Sequence, residues 1–172
     1  MKRRQFLLQT GGLFGSLMVC GPQLLAHPID KDLTFSPLDK KDDEWRAVLS
    51  RAEFNILFEE GTEPPGSSPL NHVKEKGTFV CAACYLPLFE SETKYESGTG
   101  WPSFYQAIEG LVGTKLDLKL IWPRTEYHCA RCGGHQGHVF EDGPQPTGLR
   151  YCNNGLAIKF VPANQSLPEL RG

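Results

Sequence analysis

The apolar positions of this chain change their period partway along it. Between Asp42 and Glu60, the residues Trp45, Val48, Leu49, Ala52 and Ile56 recur at the spacing of a helix with one buried face. Asp42, Asp43 and Glu44 stand where acids favour a helix start, and Gly61 stands where it can stop. The spacing predicts one helix over residues 42–60. Thr62 to Leu70 is then a loop rich in Pro, Gly and Ser. After it the pattern shortens to period two. Gly77–Cys81 reads as a strand, and Lys115–Leu120 alternates as a half-buried strand does. Thr125–Cys129, His138–Phe140, Leu149–Cys152 and Leu156–Phe160 add four short candidates, divided by turns such as Asp142-Gly143-Pro144. The pattern predicts a mainly β, mostly antiparallel domain with a leading helix.

The first residues follow a different logic. Met1-Lys2-Arg3-Arg4-Gln5-Phe6-Leu7 sets two arginines before an apolar stretch, Leu7–Val19, diluted by Gly11, Gly12 and Gly15. That stretch is shorter than the ~20 residues a spanning helix needs. Residues 1–26 are expected to be an export signal of the twin-arginine type, with cleavage after Ala26, sending the protein to the periplasm or an equivalent exported location. Lipid attachment at Cys20 is the lesser alternative, because Val19 before it is bulky. Residues 27–41 read as a mobile linker, and residues 42–165 as the folded domain.

Composition narrows the class of partner. A formal net charge of −2, with no long basic block, argues against a nucleic-acid binder, whose affinity rests on neutralising phosphates. A monomer is expected. Six cysteines are too few for a disulfide-dense mini-protein, but they suit one metal site plus reactive thiols.

Four of the cysteines form two pairs, Cys81-Ala82-Ala83-Cys84 and Cys129-Ala130-Arg131-Cys132, which can supply four thiolates to one Zn2+. Two disulfides, or a redox CxxC, are the rival readings; the redox motif belongs before a helix in a βαβ setting, which neither pair has. Cys152 stands alone in Arg150-Tyr151-Cys152-Asn153-Asn154, after the pair His135 and His138. Arg150 shares its strand face by the period of two, and its guanidinium is expected to favour the thiolate. The histidines can deliver a proton to a leaving oxygen. A structural thiol with satisfied histidines is the alternative.

Taken in order, Gly61-Thr62-Glu63, the first CxxC, Leu88-Phe89, residues 91–94, residues 97–104 (Ser-Gly-Thr-Gly-Trp-Pro-Ser-Phe), the second CxxC, Gly137–Phe140, Asp142–Pro144, Thr147-Gly148 and Arg150–Cys152 resemble the methionine-R-sulfoxide reductases of the B type, over about residues 49–162. The resemblance implies two antiparallel sheets, a structural zinc on the two CxxC pairs, and reduction of the R epimer of methionine sulfoxide in proteins. It implies Cys152 as nucleophile, passing through a sulfenic acid. It further implies Trp101 as the apolar wall for the substrate methyl, with Phe104 in the same motif beside it. His135 and His138 would surround the sulfoxide oxygen, Asn154 would position the substrate, and Arg150 and Asp142 would support them. The chain departs from the family at Thr99, where many relatives carry a resolving cysteine, so an external thiol or thioredoxin-like reductant is expected. Pro65, Gln136, Asn153 and Gly155 also differ from the family's usual residues.

Overall fold

The computed structural model describes residues 33–119 and 122–172. The expected leader, with Cys20 and Ala26, lies outside the described residues, as do the first residues of the expected linker. Among the described residues no helix is long and apolar enough to cross a membrane.

The stretch 42–60 forms two helices rather than one, α1 at Asp42–Arg46 and α2 at Arg51–Phe58. The restart is at Ser50. Its hydroxyl accepts from the Glu53 N–H at 3.2 Å, while the Glu53 carboxylate accepts from the Ser50 N–H at 2.8 Å, a capping box. The break resets the helical phase. Trp45, Leu49 and Ile56 are buried as expected, but Val48 is 49% exposed and Ala52 faces solvent, while Phe54 and Leu57 join the inner face. α2 closes with a bond from the Gly61 N–H to the Asn55 carbonyl at 3.0 Å, and Glu60 takes the left-handed position there at φ 53.

Among the described residues nine strands follow: β1 Gly77–Cys81, β2 Pro87–Glu90, β3 Lys94–Tyr95, β4 Ser103–Phe104, β5 Val112–Asp117, β6 Arg124–Cys129, β7 His135–Phe140, β8 Arg150–Asn153 and β9 Ile158–Pro162. They make two antiparallel sheets, ordered β2-β1-β9 and β3-β4-β8-β7-β6-β5. The two antiparallel sheets are those the family resemblance implies, and the pattern itself gives the mainly β character, although β2, β3 and β4 were too short to announce themselves. The core is aromatic. Phe89 stacks on Phe104 with centroids 4.2 Å apart, Phe79 meets Phe104 edge-on at 4.9 Å, and Tyr127 meets Tyr151 at 5.2 Å. Burying each such ring contributes roughly 1.5–3 kcal/mol.

Two expectations need correction. Phe104, placed beside the substrate by its motif, is fully buried in this cluster on the core face of β4. At the end of β5 the alternation is real but the covered side is the polar one: Leu116, and Leu118 just past the strand, are 65% and 67% exposed, while Asp117 between them is only 7% exposed. Residues 33–41 are irregular yet not free of the domain. Leu33, Phe35 and Leu38 pack on the core, and the Leu38 N–H donates to the Arg131 carbonyl at 2.7 Å. At the other end, Leu170 also packs on the core and the Arg171 N–H donates to the Cys84 carbonyl at 3.0 Å, so ordered contacts continue past residue 165.

Candidate active site

The two CxxC turns are built alike. Cys81 ends β1 and Cys129 ends β6. The Tyr85 N–H closes on the Cys81 carbonyl and the Gly133 N–H on the Cys129 carbonyl, both at 2.9 Å, with Tyr85 at φ 63 and Gly133 at φ 71. Each turn thus aims two sulfurs at one point. Cys81 Sγ lies 3.7 Å from Cys132 Sγ, Cys84 Sγ lies 3.5 Å from Cys129 Sγ, and all four lie within 4.8 Å of one another. Disulfide sulfurs would be about 2.05 Å apart, so these are free thiols. A tetrahedral ion bonded to sulfur at about 2.3 Å spaces its ligands about 3.8 Å apart, which this donor set fits. Burial pushes the Cys81 thiol well up, while hydrogen bonding with Cys129 pulls Cys84 down. Four thiols in a dry site ionise together only against a cation.

Cys152 sits near the middle of the larger sheet. Tyr95 on β3, Ser103 on β4, Cys152 on β8, His138 on β7, Glu126 on β6 and Lys115 on β5 are successive Cα partners. Directly opposed residues share a face, so the register writes one polar row across all six strands. A Cβ on Gly137 would stand 1.9 Å from the Cys152 carbonyl oxygen, so β7 and β8 approach this closely only through glycine. A cavity of about 140 Å³ opens over the row. Trp101, His138, Cys152 and Asn154 line it, together with Thr62, Arg124 and Phe140.

Each wall is held from behind. The Trp101 indole N–H donates to the Glu63 carbonyl at 3.1 Å. Asn154 Oδ1 accepts from the Glu63 N–H at 3.1 Å, and its Nδ2 donates to the Gln136 carbonyl at 3.1 Å. The buried Glu63 carboxylate accepts from the backbone N–H of Gly155 and Leu156, at 2.6 and 3.1 Å, and so anchors the loop to the segment after Asn154. Arg150 forms a two-pronged pair with Asp142, at 2.7 and 2.8 Å, and lies over the Phe140 ring. Neither Arg150 nor Asp142 lines the cavity; they brace its rim. His135 is buried behind His138, with its Nδ1 3.1 Å from a Glu126 carboxylate oxygen.

The electrostatics differ from the expectation for the thiol. Burial pushes the Cys152 thiol up, and Arg150 with the Thr99 hydroxyl pulls it back without overcoming burial. In the free protein Cys152 is therefore a thiol rather than a thiolate at neutral pH. His138 is also shifted by burial, downward, with Asp117 opposing. Its Nε2 meets Asp117 Oδ2 at 2.8 Å. The Lys119 N–H, then His138 and Arg124, hold the Asp117 carboxyl well below the carboxylate range.

Asp117, Arg124 and Glu126 were missed in the sequence. The available signal was the alternation of Lys115–Leu120 itself, read with the opposite phase. Lys115 reaches Glu126 at 3.2 Å and Glu60 at 2.7 Å, and Lys119 also pairs with Glu60. Hydrogen bonds from Lys115 and then Lys119 hold the Glu60 carboxyl at about 2 and tie the β5–β6 hairpin to the end of α2.

Residues 49–162 match the SelR domain. The chain is 50% identical over 124 residues to the peptide methionine sulfoxide reductase MsrB of Leptospira interrogans, covering 72% of this chain and 95% of that protein. It is 52% identical over 127 residues to the peptide methionine sulfoxide reductase MsrB of Saccharophagus degradans, covering 73% and 95%. It is 49% identical over 120 residues to the peptide methionine sulfoxide reductase B1, chloroplastic, of Oryza sativa, covering 69% of this chain and 56% of that protein. With the four-cysteine cluster and the walled thiol in place, these matches settle the assignment: the chain belongs to the MsrB family of peptide methionine sulfoxide reductases.

Proposed function

We propose that this protein reduces methionine-R-sulfoxide residues in proteins to methionine through a sulfenic acid on Cys152. The observation that carries the reading is one small cavity walled by an indole, a thiol and a histidine, those of Trp101, Cys152 and His138. A methyl sulfoxide presents an apolar methyl, an electrophilic sulfur and a basic oxygen, and the cavity has one group for each. Cys152 Sγ bonds to the sulfoxide sulfur; the protonated oxygen then passes from that sulfur to Sγ as the S–O bond and the new S–S bond break, so that methionine leaves and Cys152 carries S–OH.

The proton balance suits a buried thiol. Thiol plus sulfoxide gives thioether plus sulfenic acid, so the proton lost from Cys152 is the one the oxygen needs. His138, neutral and held through Nε2 by Asp117, stands beside Cys152 in the register and moves that proton from sulfur toward oxygen, with His135 behind it. Asn154 fixes the far wall. Arg150 and Asp142 brace the strand that carries the thiol.

Cys81, Cys84, Cys129 and Cys132 hold zinc, which supplies folding free energy rather than reactivity. Among the described residues Cys152 is the one cysteine outside that cluster, and Thr99 offers no second thiol. An external thiol or a thioredoxin-like protein therefore returns the sulfenic acid to the thiol, releasing water. The twin-arginine leader places this repair on exported proteins, with the protein acting as a monomer.

Turnover of the two separate sulfoxide epimers of an acetylated methionine peptide tests the reading. Methionine should form from the R epimer alone, with one oxygen added to Cys152 by mass when reductant is withheld. Equal turnover of both epimers, or full activity in Cys152→Ser, overturns it.

A further inference from the structure

Gln136 is a full-length polar side chain in a place where the core offers it little. It is completely buried, and its Oε1 has no hydrogen-bond partner. An amide can use two donors and two lone pairs, and a buried group left half satisfied opposes folding. A leucine or methionine would fill the same volume without that cost.

What the amide does have is a sulfur. Gln136 Nε2 donates to Cys81 Sγ at 3.5 Å and to the Gly134 carbonyl at 3.4 Å. Both contacts point toward the four-cysteine cluster, while His135, the preceding residue in β7, faces Glu126. The same residue also touches the catalytic side through its main chain, since the Gln136 carbonyl accepts from the Asn154 N–H at 2.8 Å and from Asn154 Nδ2 at 3.1 Å. One residue thus spans the sulfur that holds the fold and the wall of the substrate cavity.

We propose that Gln136 is a positioning residue for the metal: its N–H bond to Cys81 slows the loss of zinc from the cluster. This rests on the reading that Cys81, Cys84, Cys129 and Cys132 hold zinc. Four thiolates around one dication carry an excess of two negative charges. An N–H directed at one of them is a charge-assisted bond, which spreads that charge and fixes the rotamer of Cys81 in the ligating direction. Groups in this position typically govern metal affinity by 10–100-fold. The unpaired Oε1 is the cost of keeping the donor, and it gives the proposal a sign that ordinary packing would not have.

The test uses the full chain purified with its metal, as wild type, Gln136→Met and Gln136→Glu. Elemental analysis comes first. One zinc per chain is expected, and none in the wild type would remove the zinc reading itself, whatever Gln136 does. Zinc transfer to a chromogenic chelator is then timed at a temperature far below unfolding, and the melting temperature of each loaded protein is recorded. Gln136→Met should lose zinc about tenfold faster than wild type while melting no lower, because the half-satisfied amide is gone. Gln136→Glu should lose it at least as fast, since a carboxylate oxygen replaces the donor. Release from Gln136→Met within twofold of wild type, with one zinc bound, overturns the proposal. So does faster release that appears only together with a lowered melting temperature, the signature of packing alone.

Discussion

Ser103 and Phe104 are neighbours in β4, yet Ser103 meets Cys152 across the sheet and Phe104 stacks on Phe89. The same division repeats strand by strand. Cys152 faces the cavity and Tyr151 faces the core; Glu126 faces the polar row and Tyr127 the core. One face of the six-stranded sheet thus carries the fold, and the other carries the chemistry. The alternation of a strand, with no loop or hinge, sets thiol, imidazole and carboxylate at fixed spacing. Buried side chains on the two faces should therefore fail in opposite ways: loss on the core face should cost stability, and loss on the polar face should cost turnover.

The largest contrast is between Phe104→Ala and Cys152→Ser. Removing the Phe104 ring should cost about 3–5 kcal/mol in a urea melt, because the cavity it leaves cannot fully collapse. The molecules that remain folded should still turn over the R epimer. Cys152→Ser should abolish turnover while changing stability by no more than about 0.5 kcal/mol. A Phe104→Ala protein with native stability and a ruined KM would restore that ring to the substrate wall.

Asp117 tests the polar face one step further from the reacting sulfur. Asp117→Asn keeps the shape and removes the charge that His138 Nε2 meets at 2.8 Å. Turnover number should fall about tenfold with little change in KM, a tenth or less of what a general acid–base group supplies. The direction with pH is fixed as well. Asp117 raises the His138 pKa against burial, so its removal should lower that pKa further and move the histidine-dependent limb of the rate profile to lower pH. An unmoved limb, read together with the His138 ring signal by NMR, would disconnect Asp117 from the chemistry.

These residues also mark how far the sequence could be read. The cysteine pairs, the strands β1, β6 and β8, and the motif residues Trp101, His138, Cys152 and Asn154 were legible, because spacing and motif both bear on them. The break at Ser50 was written as Ser-x-x-Glu, but a helical stripe on either side of it hid the change of phase. β5 gave its period but not its phase. A Leu-Asp-Leu alternation is ordinarily buried on its leucines, and only the tertiary structure reveals that the covered face here is the polar one. Phe104 went astray for the converse reason: a motif groups residues by sequence, while a strand separates neighbours to opposite sides. Asp117 meets His138 across the intervening β6, 21 residues away along the chain, and such a contact is not a local property of the sequence.

The Cys152 thiol offers a smaller and more graded effect. Burial raises its pKa and the Arg150 guanidinium lowers it. Alkylation by iodoacetamide should therefore accelerate only above the pH of an ordinary thiol. In Arg150→Met the inflection should move higher still, because a charge that favours the thiolate is gone while Asp142, which opposes it, remains. A shift to lower pH would mean that Arg150 acts on Cys152 through packing rather than charge.

The smallest expected effect tests the sorting of faces most strictly. Leu116 in β5 and Leu118 just beyond it are apolar by sequence yet largely exposed in the fold. If they were covered, truncating either would cost about 2–5 kcal/mol. Exposed as they are, Leu116→Ser and Leu118→Ser should each change the urea midpoint by an amount equivalent to no more than about 0.5 kcal/mol, with turnover of a short sulfoxide peptide unaltered. Serine keeps reasonable strand geometry and removes only the apolar surface, so the measurement reports whether that surface is covered. Leu116 is in register with Thr125, Val139 and Tyr151, on the face opposite the polar row, but beyond the reach of the core. A multi-kcal/mol loss in either variant would mean that the core extends under the end of β5.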